Sequence, residues 1–171
     1  MKRKDNELYE DSYSKYGIIR QKTVTKHFHY HAELILSFEG GFDAIIDGER
    51  FYVNEGTGVI VFPYQLHEYF TVDSKRALVL LFHPERNQRY YEYFKGNLPK
   101  SAHIPAELIT DEVRSVSELI IKHAHLRASR KLSGELLEIY KEAVFGLILE
   151  KLELEPTASG QIDLLRRVVH W

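Results

Sequence analysis

Short apolar runs separated by turn-forming residues fill the first half of the chain. The pair Asp47-Gly48 lies between two such runs and is typical of a two-residue β-hairpin turn. Gly40-Gly41 and residues 55–58 mark further turns. At least seven short strands within about 70 residues predict a mainly β fold, a sandwich or a barrel. The predicted strands are residues 16–22, 27–38, 42–46, 49–53, 59–62, 67–72 and 76–82.

The pattern changes after Pro84. Residues 84–103 are predicted to connect the β region to two helices, with one helical turn near residues 90–93. The first helix follows Thr110-Asp111-Glu112 and the second follows Ser133-Gly134-Glu135, since both triplets are good helix starts. Both helices are apolar over a wide arc, which favours packing on the barrel and on another subunit. An intramolecular helical hairpin alone remains the alternative.

The two ends of the chain predict less regular segments. Residues 1–15 are polar and are predicted to be a flexible tail, before a barrel over residues 16–83 and the helical region over residues 84–155. A linker is predicted from Pro156, and residues 161–171 then begin an amphipathic helix. Because this pattern stops at Trp171 without a stop signal, we expect a further domain beyond it.

Composition excludes several classes of protein. The net charge is -2, so no broad cationic surface is available for nucleic acid. The chain has no cysteine, which excludes disulfides and thiolate metal sites and fits a reducing cytoplasm. No apolar run approaches the roughly 18 residues of a membrane span, so we expect a cytoplasmic protein.

One short stretch concentrates the candidate chemistry. His27, His29, His31 and Glu33 recur at every second residue, so an extended strand would place all four on one face. Imidazole and carboxylate groups are ligands for divalent metals, and His67 is a further candidate downstream. The alternative is that these are ordinary strand histidines with local hydrogen-bond partners. The remaining histidines are predicted to be surface or core residues: His83, His103, His123, His125 and His170.

The spacing of these residues resembles the two signatures of cupin barrels. His27-Phe28-His29 is followed after three residues by Glu33 and after six more by Gly40, as in the first signature. Gly56, Pro63 and His67 resemble the second signature loosely. The glycine expected before the last histidine is missing, and Gln65 and Leu66 occupy that region.

The cupin resemblance implies a ligand set for one divalent ion. The implied ligands are His27, His29, Glu33 and His67, a set that suits zinc, nickel, iron, manganese or copper. His31 would then replace a ligand or hold one in position.

The order of the parts narrows the resemblance. The histidine motif, residues 33–40, the Asp47-Gly48 hairpin and the second motif together resemble the N-terminal domain of AraC-type transcription regulators. This resemblance implies a non-catalytic sensor barrel, a homodimer formed through the two helices, and DNA binding only through a domain beyond Trp171. It implies a small polar effector, such as a sugar, in the barrel. The expected ligand-binding residues are His27, His29, Glu33, His67, Tyr69 and Arg20, with Tyr16 less central.

The alternative from another class is a metal-dependent cupin enzyme, of the isomerase or dioxygenase type. It rests on the same four ligands. No separate general base stands out in the sequence, so it names no reaction.

Overall fold

Two antiparallel sheets form the N-terminal half of the protein in a computed structural model, which describes residues 6–11, 14–19, 23–71, 75–84, 88–125 and 131–157. The strands of this half are β1 Asn6–Asp11, β2 Ser14–Ile19, β3 Val24–His27, β4 Ala32–Glu39, β5 Phe42–Ile46, β6 Glu49–Val53, β7 Gly58–Val61, β8 His67–Thr71 and β9 Arg76–Phe82. The second half contains α1 Gln88–Phe94, β10 Asn97–Pro99, β11 His103–Ile104, a 3₁₀ turn at Ala106–Leu108, α2 Asp111–His125, α3 Lys131–Leu149 and β12 Leu154–Pro156.

The strand order is that of a jelly roll. The larger sheet runs β1-β2-β9-β4-β7-β11, and the smaller sheet runs β3-β8-β5-β6. Strands β2 to β9 thus divide between the two sheets with the crossovers of an eight-stranded double-sheet roll. The predicted mainly β fold followed by helices is confirmed.

Strands β4, β7 and β9 of the larger sheet are buried on both faces, which explains the apolar run at residues 34–36 of β4. Ile35, Val59 and Val79 face the smaller sheet, where they pack with Phe42 and Tyr69. The opposite face carries the residues that pack against the helices: Leu34, Leu36, Ile60, Phe62, Leu78, Leu80 and Phe82. A strand that is covered on both sides has no solvent-facing side, so apolar and polar residues need not alternate along its sequence.

Aromatic side chains join the helical layer to this outer face. The Phe82 ring lies 5.0 Å from that of Phe145 in α3, and the Phe62 ring lies 4.8 Å from that of Phe94 in α1. The Tyr90 hydroxyl donates a hydrogen bond to the Glu142 carbonyl at 3.1 Å. The helices therefore pack on the sheet rather than forming a hairpin by themselves.

One apolar stripe of α3 stays open within the described chain. Leu137, Val144 and Ile148 are buried against the sheet and α2. Ile139 is 60% exposed, and Leu136 and Ala143 on the same side of the helix are only half-buried.

The structure departs from the sequence prediction at several boundaries. Residues 6–11, predicted as part of a flexible tail, form β1, which pairs with β2 in register from Asn6↔Ile19 to Asp11↔Ser14. α3 begins at Lys131, ahead of the predicted start. Pro156, predicted to open a linker, ends β12, which pairs with β10. Residues 161–171, with their predicted helix, lie outside the described residues.

None of the described helices is long and apolar enough to cross a bilayer.

Candidate metal centre

The histidine stretch does not form the single extended strand that its period predicts. β3 ends at His27 and β4 begins at Ala32, so residues 28–31 form a loop that carries the chain from the smaller sheet to the larger one. His29 and His31 therefore lie on this loop. The prediction of one strand face was wrong, because a chain that changes sheets must turn.

The loop and strand register nevertheless bring three histidines together. His67, the first residue of β8, pairs with His27 on one side and Ile46 on the other. The ring of His67 lies 4.2 Å from that of His27 and 4.8 Å from that of His29, measured between centroids. One ring nitrogen from each of the three lies within 4.8 Å of the others.

Main-chain carbonyl groups fix the orientation of all three rings. His27 Nδ1 lies 2.9 Å from the Thr25 carbonyl oxygen, and His67 Nδ1 lies 2.8 Å from that of Gln65. His29 Nδ1 lies 3.0 Å from the carbonyl oxygen of His31. Because a carbonyl only accepts, each Nδ1 carries a proton, and in a neutral ring Nε2 then bears the lone pair. These are the orientations that metal-binding histidines require.

Two nitrogen atoms of this centre lack a suitable hydrogen-bond partner in the part of the protein that the structure describes. His67 Nε2 is buried and has no hydrogen-bond partner within the described residues. His29 Nε2 lies 3.0 Å from Glu33 Oε2, although its Nδ1 already faces a carbonyl. A neutral ring has one proton and cannot donate to both acceptors. A positive charge at Nε2, carried by a second proton or by a metal ion, resolves the conflict.

Burial and mutual charge set the protonation states of the centre. Burial raises the pKa of Glu33, but the hydrogen bond with His29 and the nearby His67 and His29 outweigh it and hold the pKa below 4.5. Burial lowers the pKa of His67 below 6.5, against the opposing effect of the Glu33 charge. Burial, followed by the Glu33 charge, raises the pKa of Tyr69 well above 10.0. At neutral pH the carboxylate is ionised and Tyr69 keeps its proton.

The remaining predicted site residues are placed less uniformly. Tyr69 follows His67 on the inner face of β8, and its buried hydroxyl makes no hydrogen bond within the described chain although it is near Glu33. His31 lies outside the three-histidine cluster, with its ring 5.5 Å from that of His83. Arg20 lies outside the described residues, and only the backbone of Tyr16 is described.

Sequence analysis missed a second layer of contacts around the loop. The Tyr30 hydroxyl lies 2.9 Å from both ring nitrogens of His83, which was assigned to the surface or core. The register of β4 and β9 pairs Ala32 with Phe82, so His31 and His83 occupy the next positions along neighbouring strands. His83 is brought to the loop by the pairing of β4 with β9, and this pairing cannot be read from the sequence.

Comparisons with known proteins assign no family to the chain. No protein-family model matches the chain, and no curated protein matches it. Among solved structures, a conserved protein of unknown function from Streptococcus pyogenes is 15% identical with a TM-score of 0.43, over 47% of this chain and 77% of that one. An RmlC-like cupin from Shewanella frigidimarina is 15% identical with a TM-score of 0.40, over 46% and 74%. KdgF from a Halomonas species is 18% identical with a TM-score of 0.39, over 49% and 81%.

By its own strand order, the chain has a cupin fold. The signature residues His27, His29 and His67 meet at one point of this fold. Similarity to solved structures at identities of 15% to 18% and TM-scores of 0.39 to 0.43 assigns neither a ligand nor an activity.

The lowered pKa of His67 gives the metal-free protein a defined acid sensitivity. The unfolded chain takes up a proton near pH 6.5 before the folded protein does, so stability falls as the pH drops from about 6.5 to the folded pKa. We expect His67→Gln to remove this loss, measured as the free energy of unfolding in urea between pH 8 and pH 5 with chelator. Glu33→Gln should keep this loss and deepen it, because the Glu33 charge opposes the lowering of the His67 pKa, and it should reduce the further loss below pH 4.5. Equal slopes for wild type and His67→Gln would contradict this account.

Proposed function

We propose that this chain is the ligand-sensing and dimerisation domain of an AraC-type transcription regulator, with its effector site at a divalent metal ion held by His27, His29 and His67. The observation that carries the proposal is the convergence of three histidine rings, each with one nitrogen within 4.8 Å of the others and each with Nδ1 facing a main-chain carbonyl. The finer assignment to a regulator rests on the order of motifs in the sequence and on the helical layer behind the barrel.

The donor set supports a transition metal rather than calcium or magnesium. Three imidazole nitrogens suit zinc, nickel, cobalt or copper, whereas calcium and magnesium prefer oxygen ligands. Glu33 supplies a carboxylate 3.0 Å from His29 Nε2, where it would serve as a fourth ligand. His27 and His29 are only half-buried, so a small molecule can approach the ion from their side. When bound, the ion would act as a Lewis acid that anchors an oxygen atom of the ligand.

The interior beyond the histidines constrains the ligand. The residues that fill the space between the sheets are apolar or aromatic, among them Ile46, Val61 and Phe42. Tyr69 presents the one buried hydroxyl beside them that lacks a partner within the described chain. These surroundings favour a ligand with one oxygen-bearing end at the histidines. The predicted sugar would need more polar partners than the described interior offers.

Metal binding is the first measurable consequence. We expect the chelator-treated wild-type protein to take up one equivalent of Zn²⁺ or Co²⁺, seen by calorimetry or by the visible absorption of Co²⁺. His67→Ala should lose this binding, because it removes the most deeply buried donor. The matched control is His103→Ala, a half-buried histidine in β11, which should bind like wild type. Uptake of less than about 0.2 equivalents by wild type would refute the metal part of the proposal.

The second candidate function is a metal-dependent enzyme of the same fold. The observation that favours it is the buried pair of Tyr69 and Glu33 next to the histidines, since a phenol and a carboxylate can exchange a proton with a bound ligand. Against it, the Glu33 carboxylate already lies 3.0 Å from His29 Nε2, beside the proposed ion, which leaves it less free to exchange a proton with a ligand. The two functions differ in the fate of the ligand.

A ligand screen separates the two functions. Small carboxylates, phenols and sugars would be tested by thermal shift against the Co²⁺-loaded protein, and every stabilising compound would be incubated and recovered. A sensor returns the compound unchanged in amounts that match the binding sites, whereas an enzyme converts many equivalents. We expect unchanged recovery, checked by chromatography, and multiple turnover would instead establish the enzyme.

The open stripe of α3 supports the dimerisation part of the proposal. Ile139 is 60% exposed, and Leu119 of α2 is 38% exposed. Large apolar side chains on helices that already bury their opposite faces are typical of a second packing surface. We propose that this surface, formed by α2 and α3, contacts the same surface of another copy.

A charge placed in this stripe should weaken the dimer. We expect Ile139→Lys to raise the dimer dissociation constant at least about tenfold, because the interface would bury an unpaired ammonium group. Sedimentation equilibrium measures this constant. Tyr52→Lys, at a tyrosine that is 50% exposed on β6, is the matched control and should leave the constant unchanged. A monomeric wild type at high micromolar concentration would refute the dimer.

A further inference from the structure

The loop between β7 and β8 supports two of the three histidines. His67 Nδ1 donates to the Gln65 carbonyl oxygen at 2.8 Å, so the position of this carbonyl sets the rotation of the His67 ring. Tyr64 N–H donates to the His29 carbonyl oxygen at 2.8 Å, which ties the histidine loop to the same segment. Tyr64 has a φ of 70°, a left-handed conformation that is costly for a large side chain and persists only where its surroundings enforce it. Residues 62–66 are therefore a frame between the two rings.

The Gln65 side chain closes this frame from within. Its Oε1 accepts a hydrogen bond from the Phe62 N–H at 2.7 Å, and its Nε2 donates to Asp47 Oδ2 at 2.8 Å. This is the region where a glycine is expected in the second cupin signature. The glutamine thus supplies contacts that a glycine has no side chain to make.

Asp47 holds the other side of the frame. Its Oδ1 accepts from the Leu66 N–H at 2.9 Å, and its own N–H donates to the Leu66 carbonyl oxygen at 2.7 Å. Asp47 has a φ of 50° and Gly48 a φ of 90°, as in a type I′ hairpin turn. Asp47 directly follows Ile46, the residue that pairs with His67. The turn between β5 and β6 is therefore bonded to the loop that carries the ligand histidine.

We propose that Asp47 and Gln65 form a clamp that positions His67 relative to His29, and that this clamp sets the affinity of the metal centre. Neither side chain touches the ion. Both act through the Gln65 carbonyl and the loop backbone. The effect on metal affinity rests on the proposed function. The effect on the alignment of the rings does not, because this alignment exists in the metal-free protein.

A reversal of the hydrogen bond tests the clamp. Gln65→Glu keeps an acceptor for the Phe62 N–H but places a carboxylate against Asp47, so the two side chains repel. The double variant Asp47→Asn with Gln65→Glu restores the bond with its direction reversed, because the asparagine amide donates to the new carboxylate. The side-chain oxygen of the asparagine still accepts a hydrogen bond from the Leu66 N–H, as Asp47 Oδ1 does. Asp43→Asn is the control, since Asp43 on β5 pairs with Arg50 on the neighbouring strand β6.

Two measurements report on the variants. The Co²⁺ dissociation constant should rise about 10- to 100-fold in Gln65→Glu, the usual cost of losing a group that orients a ligand, and return to within about threefold of wild type in the double variant. In metal-free protein, ring nitrogen NMR shifts should show His67 protonated at Nδ1 in wild type and in the double variant. They should show a mixture of tautomers in Gln65→Glu.

The outcomes separate this inference from the proposed function. If Gln65→Glu binds Co²⁺ like wild type, or if the double variant is as weak as the single one, the clamp does not set the affinity. If wild type binds no Co²⁺, the metal proposal fails, and the clamp is judged by the His67 tautomer alone. An unchanged tautomer in Gln65→Glu would then refute it.

Discussion

A histidine ring carries two nitrogens and, when neutral, one proton, and the centre of this protein depends on where that proton goes. Three main-chain carbonyls, those of Thr25, His31 and Gln65, claim the Nδ1 proton of the three rings. In neutral rings the Nε2 atoms are then left without protons to donate, although the three rings lie close together and His29 Nε2 is 3.0 Å from Glu33 Oε2. Without a cation this arrangement is unfavourable, because the nitrogen lone pairs lack partners in a partly dry interior. The surrounding strands and loops must therefore hold the histidine rings in place at some cost in free energy.

The rest of the fold supplies the rigidity. The larger sheet is buried on one side by the smaller sheet and on the other by the helices, so Glu33 on β4 has little freedom to move towards solvent. His67 is held by strand pairing on both sides, to His27 and to Ile46. A histidine between two paired strands cannot relax by shifting its backbone without breaking ladder hydrogen bonds. Close packing therefore converts a local electrostatic preference into a fixed geometry.

Local chemistry made part of this structure predictable from the sequence. The Asp47-Gly48 turn and the bounds of β5, β6 and β9 follow from turn preferences and apolar runs, which act over a few residues. The strand assigned to the histidine stretch was wrong, because alternating histidines have the same spacing in a strand and in a loop that crosses between sheets. His83, Gln65 and the pairing of β10 with β12 were not predicted, since each depends on which distant segment lies alongside. Sequence spacing named the members of the candidate site, while register determined how they meet.

The short ribbon of β10 and β12 joins the two ends of the segment that contains α2 and α3. Asn97–Pro99 pairs with Leu154–Pro156, and the Thr157 N–H donates to the Gly96 carbonyl oxygen at 2.8 Å. The segment that contains α2 and α3 thus begins and ends at one hydrogen-bonded ribbon. Once this ribbon has formed, the ends of the segment are already together, so further contacts between the enclosed helices cost less loop-closure entropy. The direction in which the chain leaves at residue 157 is then set by the segment that follows α1, and displacement of one moves the other.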